Sequence, residues 1–221
     1  MRSVAERSLA LSDVTTARRL DVFALTETWH KTSDDLPLQR SAPPGYSVVA
    51  AEARPSKSTS RVAVIHSNRF TAKRITLDVK PTMFEVLCCS LRSASVSVVY
   101  VIIYRPDGEQ VSEQFFEELT ALLEIVATFR CQLIVTGDFN IRVNNSADRH
   151  AVRLAELPLP LDKLIYIRPL HSPPTKTATF WTSSHVQTVN HPAASSIHPT
   201  SSLTIPSSSV SSHPSRLPFD G

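Results

Sequence analysis

The sequence predicts an α/β chain of the α+β type, in which packed sheets are covered by helices. Strand-like and helix-like segments are mixed along residues 1–168 without strict alternation, and this mixture favours packed sheets with helices on their outer faces. Apolar residues make up 42% of the 221 residues, which is enough for a core in a domain of this size. We therefore expect one globular domain in residues 1–168.

The first part of the chain is predicted to form one helix and three strands. Val4–Leu20 carries charged residues around an apolar face, which is typical of a surface helix. Asp21–Thr26 is a short apolar run that ends in polar residues, and this pattern indicates a buried strand. The valine-rich runs Tyr46–Ala50 and Arg61–His66 predict two more strands.

The central part is predicted to form a hairpin followed by a helix. The apolar runs Phe84–Leu91 and Val96–Tyr104 are separated by a short segment, 92–95, and this spacing suits a β-hairpin. Ser112 is a candidate cap for the helix that follows. That helix presents one apolar face, formed by Phe115, Leu119, Leu122, Leu123 and Val126.

One more strand and one more helix complete the predicted domain. Gln132–Thr136 is an apolar strand that runs directly into the polar cluster Gly137–Asn140. Asp148–Leu157 can form a short helix, which Pro158 and Pro160 end.

Residues 169–221 have a different composition from the rest of the chain. Ser, Thr and Pro account for 27 of the residues in 171–221, and only Lys176, Arg216 and Asp220 carry a formal charge. A segment of this kind buries too little apolar surface to offset its conformational entropy. We expect a disordered tail that does not belong to the fold.

Composition also limits the cellular setting. No apolar run approaches the ~20 residues of a membrane span, so we expect no membrane partner. Charges interrupt the apolar residues of the N-terminus, so we predict no signal peptide and an intracellular protein. The three cysteines have no metal-ligand spacing, which fits a reducing compartment. The net charge of +3 does not indicate a nucleic-acid partner by itself, and the oligomeric state stays open.

Three polar clusters that follow predicted strands carry the candidate chemistry. They are Thr26–Trp29, Tyr104–Pro106 and Gly137–Asn140. Polar groups from distant segments meet at strand ends, because loops converge there above a rigid sheet. Glu27 and Asp138, brought together in this way, could hold a hard divalent cation such as Mg²⁺. Such an ion polarises a phosphoryl oxygen and helps to activate water.

Two further polar side chains suit the same chemistry. Asn140 follows Asp138 by two residues and shares its face if the strand continues, so it could orient a phosphate or a water. Tyr104 offers a phenol to a phosphate oxygen. Taken singly, each of these residues also has an ordinary role, as a solvated strand end, a turn residue or half-buried packing. The three clusters together favour a site.

The three clusters resemble successive motifs of the endonuclease/exonuclease/phosphatase superfamily. The matching segments are ALTETWH at Ala24–His30, YRP at Tyr104–Pro106 and TGDFNI at Thr136–Ile141. Their wording is most similar to the LINE-type (non-LTR) retrotransposon branch, and ADRHAVRLAEL at Ala147–Leu157 adds to this resemblance. The resemblance covers roughly residues 1–165.

The resemblance implies a fold, a reaction and a site. The fold is a sandwich of two mixed sheets flanked by helices, and the reaction is phosphodiester hydrolysis assisted by Mg²⁺ or Mn²⁺. Glu27 would be the metal ligand and Tyr104 would contact the scissile phosphate. Asp138 would position or activate the attacking water, which Asn140 would help to hold. In the retrotransposon branch the substrate is DNA, nicked to prime reverse transcription, and the setting is nuclear.

The chain departs from the family pattern at both ends, so we expect a truncated domain, incomplete at the C-terminus. The family asparagine that precedes the counterpart of Met1–Ser3 is absent, and Ser58–Ser60 stands where the family often has glycines. The family's GHxLDLV-like strand and its SDH motif, the source of an acid–base histidine, do not appear. Codons for 175–184 and 200–207 can encode both motifs in one shifted frame. We therefore expect an out-of-frame tail and impaired activity.

Two other functions stay open. The chain could be another phosphodiesterase or phosphatase of the same superfamily, because a fold alone does not set the substrate. It could also be a non-catalytic remnant or an interaction module, which the missing SDH motif favours. Metal binding at Glu27 distinguishes this last alternative from an enzyme.

Overall fold

The computed structural model describes residues 8–52, 60–108, 110–141, 145 and 147–157, and the backbone of four further strands between residues 164 and 204. These elements form two β-sheets that pack face to face, with helices against their outer faces. The predicted two-sheet sandwich flanked by helices is confirmed. The turn at Ser58–Ser60 falls almost entirely outside the described residues.

The first sheet is built around the N-terminal strand, and we call it the β1 sheet. Its strands are β1 (Val22–His30), β2 (Tyr46–Ala50), β3 (Ser60–Ser67), β9 (Lys176–Thr182), β10 (His185–His191) and β11 (Ser202–Thr204). Their order across the sheet is β11-β10-β9-β1-β3-β2, and neighbouring strands are antiparallel. Strand β1 is therefore central, and it extends four residues beyond the predicted end at Thr26.

The second sheet contains the predicted hairpin, and we call it the β6 sheet. Its strands are β4 (Thr71–Arg74), β5 (Glu85–Arg92), β6 (Ser97–Tyr104), β7 (Gln132–Asp138) and β8 (Leu164–Tyr166), in the order β4-β5-β6-β7-β8. Strands β5 and β6 pair antiparallel, as predicted for a hairpin. Strands β6 and β7 pair in parallel, so the C-terminal ends of both strands lie at the same edge of the sheet.

In the described part of the chain, four helices accompany the sheets: α1 (Ser8–Ala17), α2 (Leu36–Gln39), α3 (Glu113–Ala127) and α4 (Arg149–Ala155). The side chain of Ser112 accepts a hydrogen bond from the amide of Phe115, so the predicted cap of α3 is confirmed. Asp148 caps α4 in the same way, by accepting from the amide of His150. None of the helices in this part of the chain has both the length and the apolar character that a membrane span requires.

The core has three layers because successive side chains of a strand point to opposite faces. Val22 and Ala24 of β1 face Tyr100 and Ile102 of β6 in the layer between the sheets. Phe23, the residue between them, faces the outer layer on the β1 sheet, against which α1 packs. The apolar face of α3 covers the outer side of the β6 sheet, with Phe115, Phe116, Leu119, Leu122, Leu123 and Val126 all buried.

The segment from residue 169 onward differs from the expectation of disorder where it is described. Lys176–Thr182 pairs along the free edge of β1, and His185–His191 pairs with it in turn. An open strand edge recruits an extended segment through backbone groups, which need no side-chain periodicity. The threonines and aromatic residues of Lys176–Thr182 also favour a strand, a local preference that the overall Ser/Thr/Pro count conceals. Ser202–Thr204 pairs with His185–Gln187, and the rest of the predicted tail lies outside the described residues.

Candidate active site

The first motif lies on an irregular part of β1. Thr26 pairs with Val62 and His30 pairs with Ser60, so the three residues between them, 27–29, lie opposite the single residue Arg61. This is a β-bulge, a feature that redirects side chains at sheet ends. Glu27 and Trp29 adopt positive φ angles of 55° and 56°, a conformation that costs a non-glycine residue roughly 1–3 kcal/mol. The surroundings must therefore hold Glu27 in place.

Two buried polar side chains help to hold this bulge. The Oγ1 atom of Thr28 and Nδ1 of His30 are 2.7 Å apart, and Nε2 of His30 is 2.8 Å from the carbonyl oxygen of Ala51. Because a carbonyl oxygen can only accept, Nε2 donates to Ala51, and Nδ1 forms the second hydrogen bond with the threonine hydroxyl. His30 is 2% exposed, so this connection lies within the protein.

The second motif brings Tyr104 to Glu27 across the space between the sheets. Tyr104 is the last residue of β6, and its hydroxyl donates to Oε1 of Glu27 over 3.4 Å. Burial raises the pKa of the Tyr104 phenol, and the negative charges of Glu27 and Asp138 raise it further, against an opposing effect of Arg61. The phenol is therefore a stable O–H donor at neutral pH.

The third motif places Asp138 beside Tyr104. These two residues are partners in the parallel register of β6 and β7. The close approach depends on Gly137, whose φ is 146° and where a Cβ atom would lie 1.8 Å from the carbonyl oxygen of Ile103. Only glycine fits at this point of the ladder. Its role was not predicted from the sequence.

Asn140 is tied to both neighbouring motifs. Its amide donates to Oδ1 of Asp138 over 3.0 Å, and its Nδ2 donates to the carbonyl oxygen of Arg105 over 2.6 Å. Its φ of 49° turns the chain sharply after the strand. The strand does not continue to Asn140, because β7 ends at Asp138, but the Asn140 backbone amide still contacts that carboxylate.

Arg105 is a structural residue of the site that the sequence did not identify. Its side chain is 2% exposed, and its guanidinium donates to the carbonyl oxygens of Phe139 and Asn140 over 2.6 and 2.7 Å. Its amide donates to the carbonyl oxygen of Asp138. Arg105 thus fixes the loop after β7 to the end of β6. Its position in the YRP segment was the only available signal.

The structure therefore brings together the four residues singled out from the sequence, Glu27, Tyr104, Asp138 and Asn140. Within the described part of the chain, no group of three or more His, Cys, Asp or Glu side chains is arranged to hold a metal ion. The possible metal ligands near the Tyr104 hydroxyl are two carboxylates from opposite sheets, those of Glu27 and Asp138. This arrangement suits an ion that keeps several of its waters, as Mg²⁺ does.

Comparison with known proteins identifies a family. The model of the Endonuclease/Exonuclease/phosphatase family matches residues 2–196, which is most of the chain. No match is found among curated proteins.

Several solved structures are similar to the chain. The endonuclease domain of TRAS1, a telomere-specific non-LTR retrotransposon, is 14% identical, with 70% of this chain and 64% of that chain covered and a TM-score of 0.49. The mannosyl-6-phosphatase of Bacteroides thetaiotaomicron is 12% identical, with coverages of 68% and 62% and a TM-score of 0.50. The human Nocturnin catalytic domain is 19% identical, with coverages of 68% and 62% and a TM-score of 0.47. The chain thus spans less than two thirds of each structure.

Proposed function

Because the chain belongs to the endonuclease/exonuclease/phosphatase family, we propose that it hydrolyses phosphodiester bonds in DNA with the help of a divalent cation. One observation carries this proposal. The Tyr104 hydroxyl lies 3.4 Å from Glu27 while the Tyr104 backbone pairs with Asp138, so three distant motifs share one location. The carboxylates of Glu27 and Asp138 both act electrostatically on the Tyr104 phenol, and a divalent cation would offset the repulsion between like charges.

The donor set fits Mg²⁺ or Mn²⁺. Both ions prefer oxygen ligands, and Mg²⁺ in particular is commonly held by one or two carboxylates together with water and substrate phosphate. Glu27 would hold the ion, and Asp138 would lie nearby, on the strand that pairs with Tyr104. When bound, the ion would neutralise charge on the phosphoryl group and so favour its attack by water.

The chain's own residues position the phosphate and the water. The Tyr104 hydroxyl stays protonated and donates a hydrogen bond, which a phosphate oxygen can receive in place of Glu27. Asp138 would accept a proton from the attacking water or orient it. Both Asn140 nitrogens donate within the protein, so its Oδ1 atom is the group that would accept from this water.

The proposal that the substrate is DNA rests on the amino-acid sequence of the motifs. TETWH at Thr26–His30 and DRH at Asp148–His150 are closest to the non-LTR retrotransposon branch, whose members act in the nucleus. We also propose that this chain has low activity, because no SDH triplet occurs in its 221 residues. Loss of a general acid–base histidine commonly costs about 10²–10⁴ in rate.

Manganese binding by the full chain tests this proposal. Electron paramagnetic resonance would follow free Mn²⁺ as the ion is added to the wild type, to Glu27→Gln and to Asp138→Asn. Glu124→Gln is the matched control, because Glu124 is exposed near the C-terminal end of α3. We expect weaker binding in the two site variants and wild-type binding in the control. Equal binding in all four proteins would refute the proposal.

A second assay separates an enzyme from a remnant. Purified chain would be incubated with supercoiled plasmid and Mn²⁺, and nicked circles would be counted against Glu27→Gln. We expect slow nicking that Glu27→Gln abolishes. Metal binding at Glu27 without any nicking would favour the non-catalytic alternative, and cleavage of a small phosphate ester instead of plasmid would favour a phosphatase.

A further inference from the structure

Arg61 lies opposite the bulge that carries Glu27, and its environment is unusual for an arginine. Its side chain is 12% exposed, and the side chain of Glu85, its ion-pair partner, is 4% exposed. Burial of a charged pair is unfavourable unless the geometry is good and the hydrogen bonds are made. Here the Glu85 carboxylate accepts two hydrogen bonds from Arg61, so the pair can hold a fixed geometry.

The contacts of Arg61 join the two sheets. Its guanidinium and its backbone amide each donate to one oxygen of the Glu85 carboxylate, both over 2.8 Å. Arg61 belongs to β3 in the β1 sheet, whereas Glu85 belongs to β5 in the β6 sheet. The amide is available because the bulge interrupts the ladder between β1 and β3 at this residue.

The same guanidinium also covers the bulge itself. Its central carbon lies 4.1 Å from the centroid of the Trp29 ring and 5.8 Å from that of the Tyr104 ring. Trp29 is one of the two bulge residues with a positive φ, and Tyr104 is the residue whose hydroxyl reaches Glu27. One side chain therefore contacts the bulge, the end of β6 and the neighbouring strand β5.

No backbone hydrogen bonds connect β1 to β6, because these strands belong to different sheets. The contact between Glu27 and Tyr104 is thus made through their side chains. We propose that Arg61 is a positioning residue that clamps the Glu27 bulge to the end of β6 through Trp29, Tyr104 and Glu85. This inference rests on the proposed role of Glu27, and it assigns a role to a residue that the proposed chemistry does not use.

The test compares Arg61→Gln and Arg61→Lys with Arg69→Gln in the full chain. Arg69 is the matched control because it pairs with Asp21 and stacks on Phe70 at the opposite end of β3, away from the site. Two quantities would be measured: the Mn²⁺ dissociation constant, and acrylamide quenching of Trp29 in a Trp181→Phe background. Thermal unfolding would accompany both.

We expect Arg61→Gln to weaken Mn²⁺ binding by about 10–100-fold, the usual effect of removing a group that orients a ligand. Trp29 should become more accessible to acrylamide, since its ring loses the guanidinium that covers it. Arg61→Lys keeps the charge and should recover part of the affinity, and Arg69→Gln should change neither quantity. If Arg61→Gln does not fold, Glu85→Gln provides the same comparison, because it weakens the pair and keeps an acceptor for the Arg61 amide.

The outcomes separate this inference from the proposed function. Unchanged Mn²⁺ affinity in Arg61→Gln, with Glu27→Gln weakened, would overturn the clamp and leave the proposed function standing. Equal Mn²⁺ binding in wild type and Glu27→Gln would overturn the proposed function. In that case unchanged Trp29 quenching in Arg61→Gln would overturn the clamp as well, and increased quenching would support its structural part.

Discussion

The hydroxyl of Tyr104 donates to Oε1 of Glu27 over 3.4 Å, across the boundary between two sheets that share no backbone hydrogen bonds at this point. A carboxylate on a strained bulge of one sheet thus meets a phenol at the last residue of a strand in the other. Asp138 adds a second carboxylate from the neighbouring strand. The hydrolysis proposed for the chain depends on the proximity of Glu27, Tyr104 and Asp138.

The first prediction concerns the Tyr104 hydroxyl. Tyr104→Phe keeps the buried ring and removes the contact to Glu27, so the free energy of unfolding should fall by only about 1 kcal/mol. Nicking of plasmid DNA should fall much more, by about 10²-fold, because a donor to the phosphate is lost. Chemical denaturation and the nicking assay check the two parts.

Tyr100→Phe is the matched control for this variant. Tyr100 lies on the same strand, is fully buried, and its hydroxyl has no partner among the described residues. Removing an unsatisfied buried hydroxyl is neutral or stabilising, and activity should not change. Equal loss of nicking in both variants would show that Tyr104 acts through packing alone.

The second prediction concerns Gly137. An alanine here would place Cβ 1.8 Å from the Ile103 carbonyl oxygen at a φ of 146°. Strain and overpacking together should lower the free energy of unfolding by roughly 2–6 kcal/mol. Gly108→Ala is the control, because nothing lies within 4 Å of the added atom. Urea unfolding measures both, and a Gly137→Ala protein as stable as Gly108→Ala would contradict the register of β6 and β7.

The third prediction concerns acid stability. Burial lowers the pKa of His66 below its ordinary value of 6.5, although the Ser67 carbonyl opposes this effect. Below pH 6.5 the unfolded chain therefore binds a proton that the folded protein resists, so stability is lost as the pH falls. His66→Gln should show a smaller drop between pH 7.5 and 5.5 in urea unfolding, and equal drops would argue against a buried neutral His66.

The fourth prediction concerns the thiols. Burial, with a smaller contribution from a neighbouring cysteine, raises the pKa of Cys88 and of Cys89 to about 12. The thiolate is the reactive form, so a disulfide reagent at pH 8 should modify only Cys131 in the native protein. All three cysteines should react in denaturant. In Cys131→Ser, rapid labelling of the native protein would show that β5 is not buried as described.

Local patterns predicted the strands β1, β2, β3, β5, β6 and β7, but of their pairings they predicted only the β5–β6 hairpin. Apolar runs such as Phe84–Leu91 and the cap at Ser112 were visible because they depend on neighbours along the chain. Strand β4 is short and mostly exposed, so it leaves no periodic signal. Strand β9 forms where its backbone finds the edge of β1, which a Ser/Thr/Pro count does not reveal.

The candidate site divides in the same way. Glu27, Tyr104, Asp138 and Asn140 were found because each follows an apolar run, and the structure places them together. Arg61 and Glu85 lie within predicted strands, where a charged side chain is normally expected to face solvent. Their pairing joins positions 24 residues apart on different sheets, and only the three-dimensional arrangement shows it.

A crystal of the full chain soaked in Mn²⁺ and measured at the manganese absorption edge tests the central claim most directly. We predict one anomalous peak within coordination distance of a Glu27 carboxylate oxygen, on the side that faces Asp138 and the Tyr104 hydroxyl. Glu27 and Asp138 carboxylates pointing to opposite sides of the protein, with manganese bound elsewhere, would contradict it.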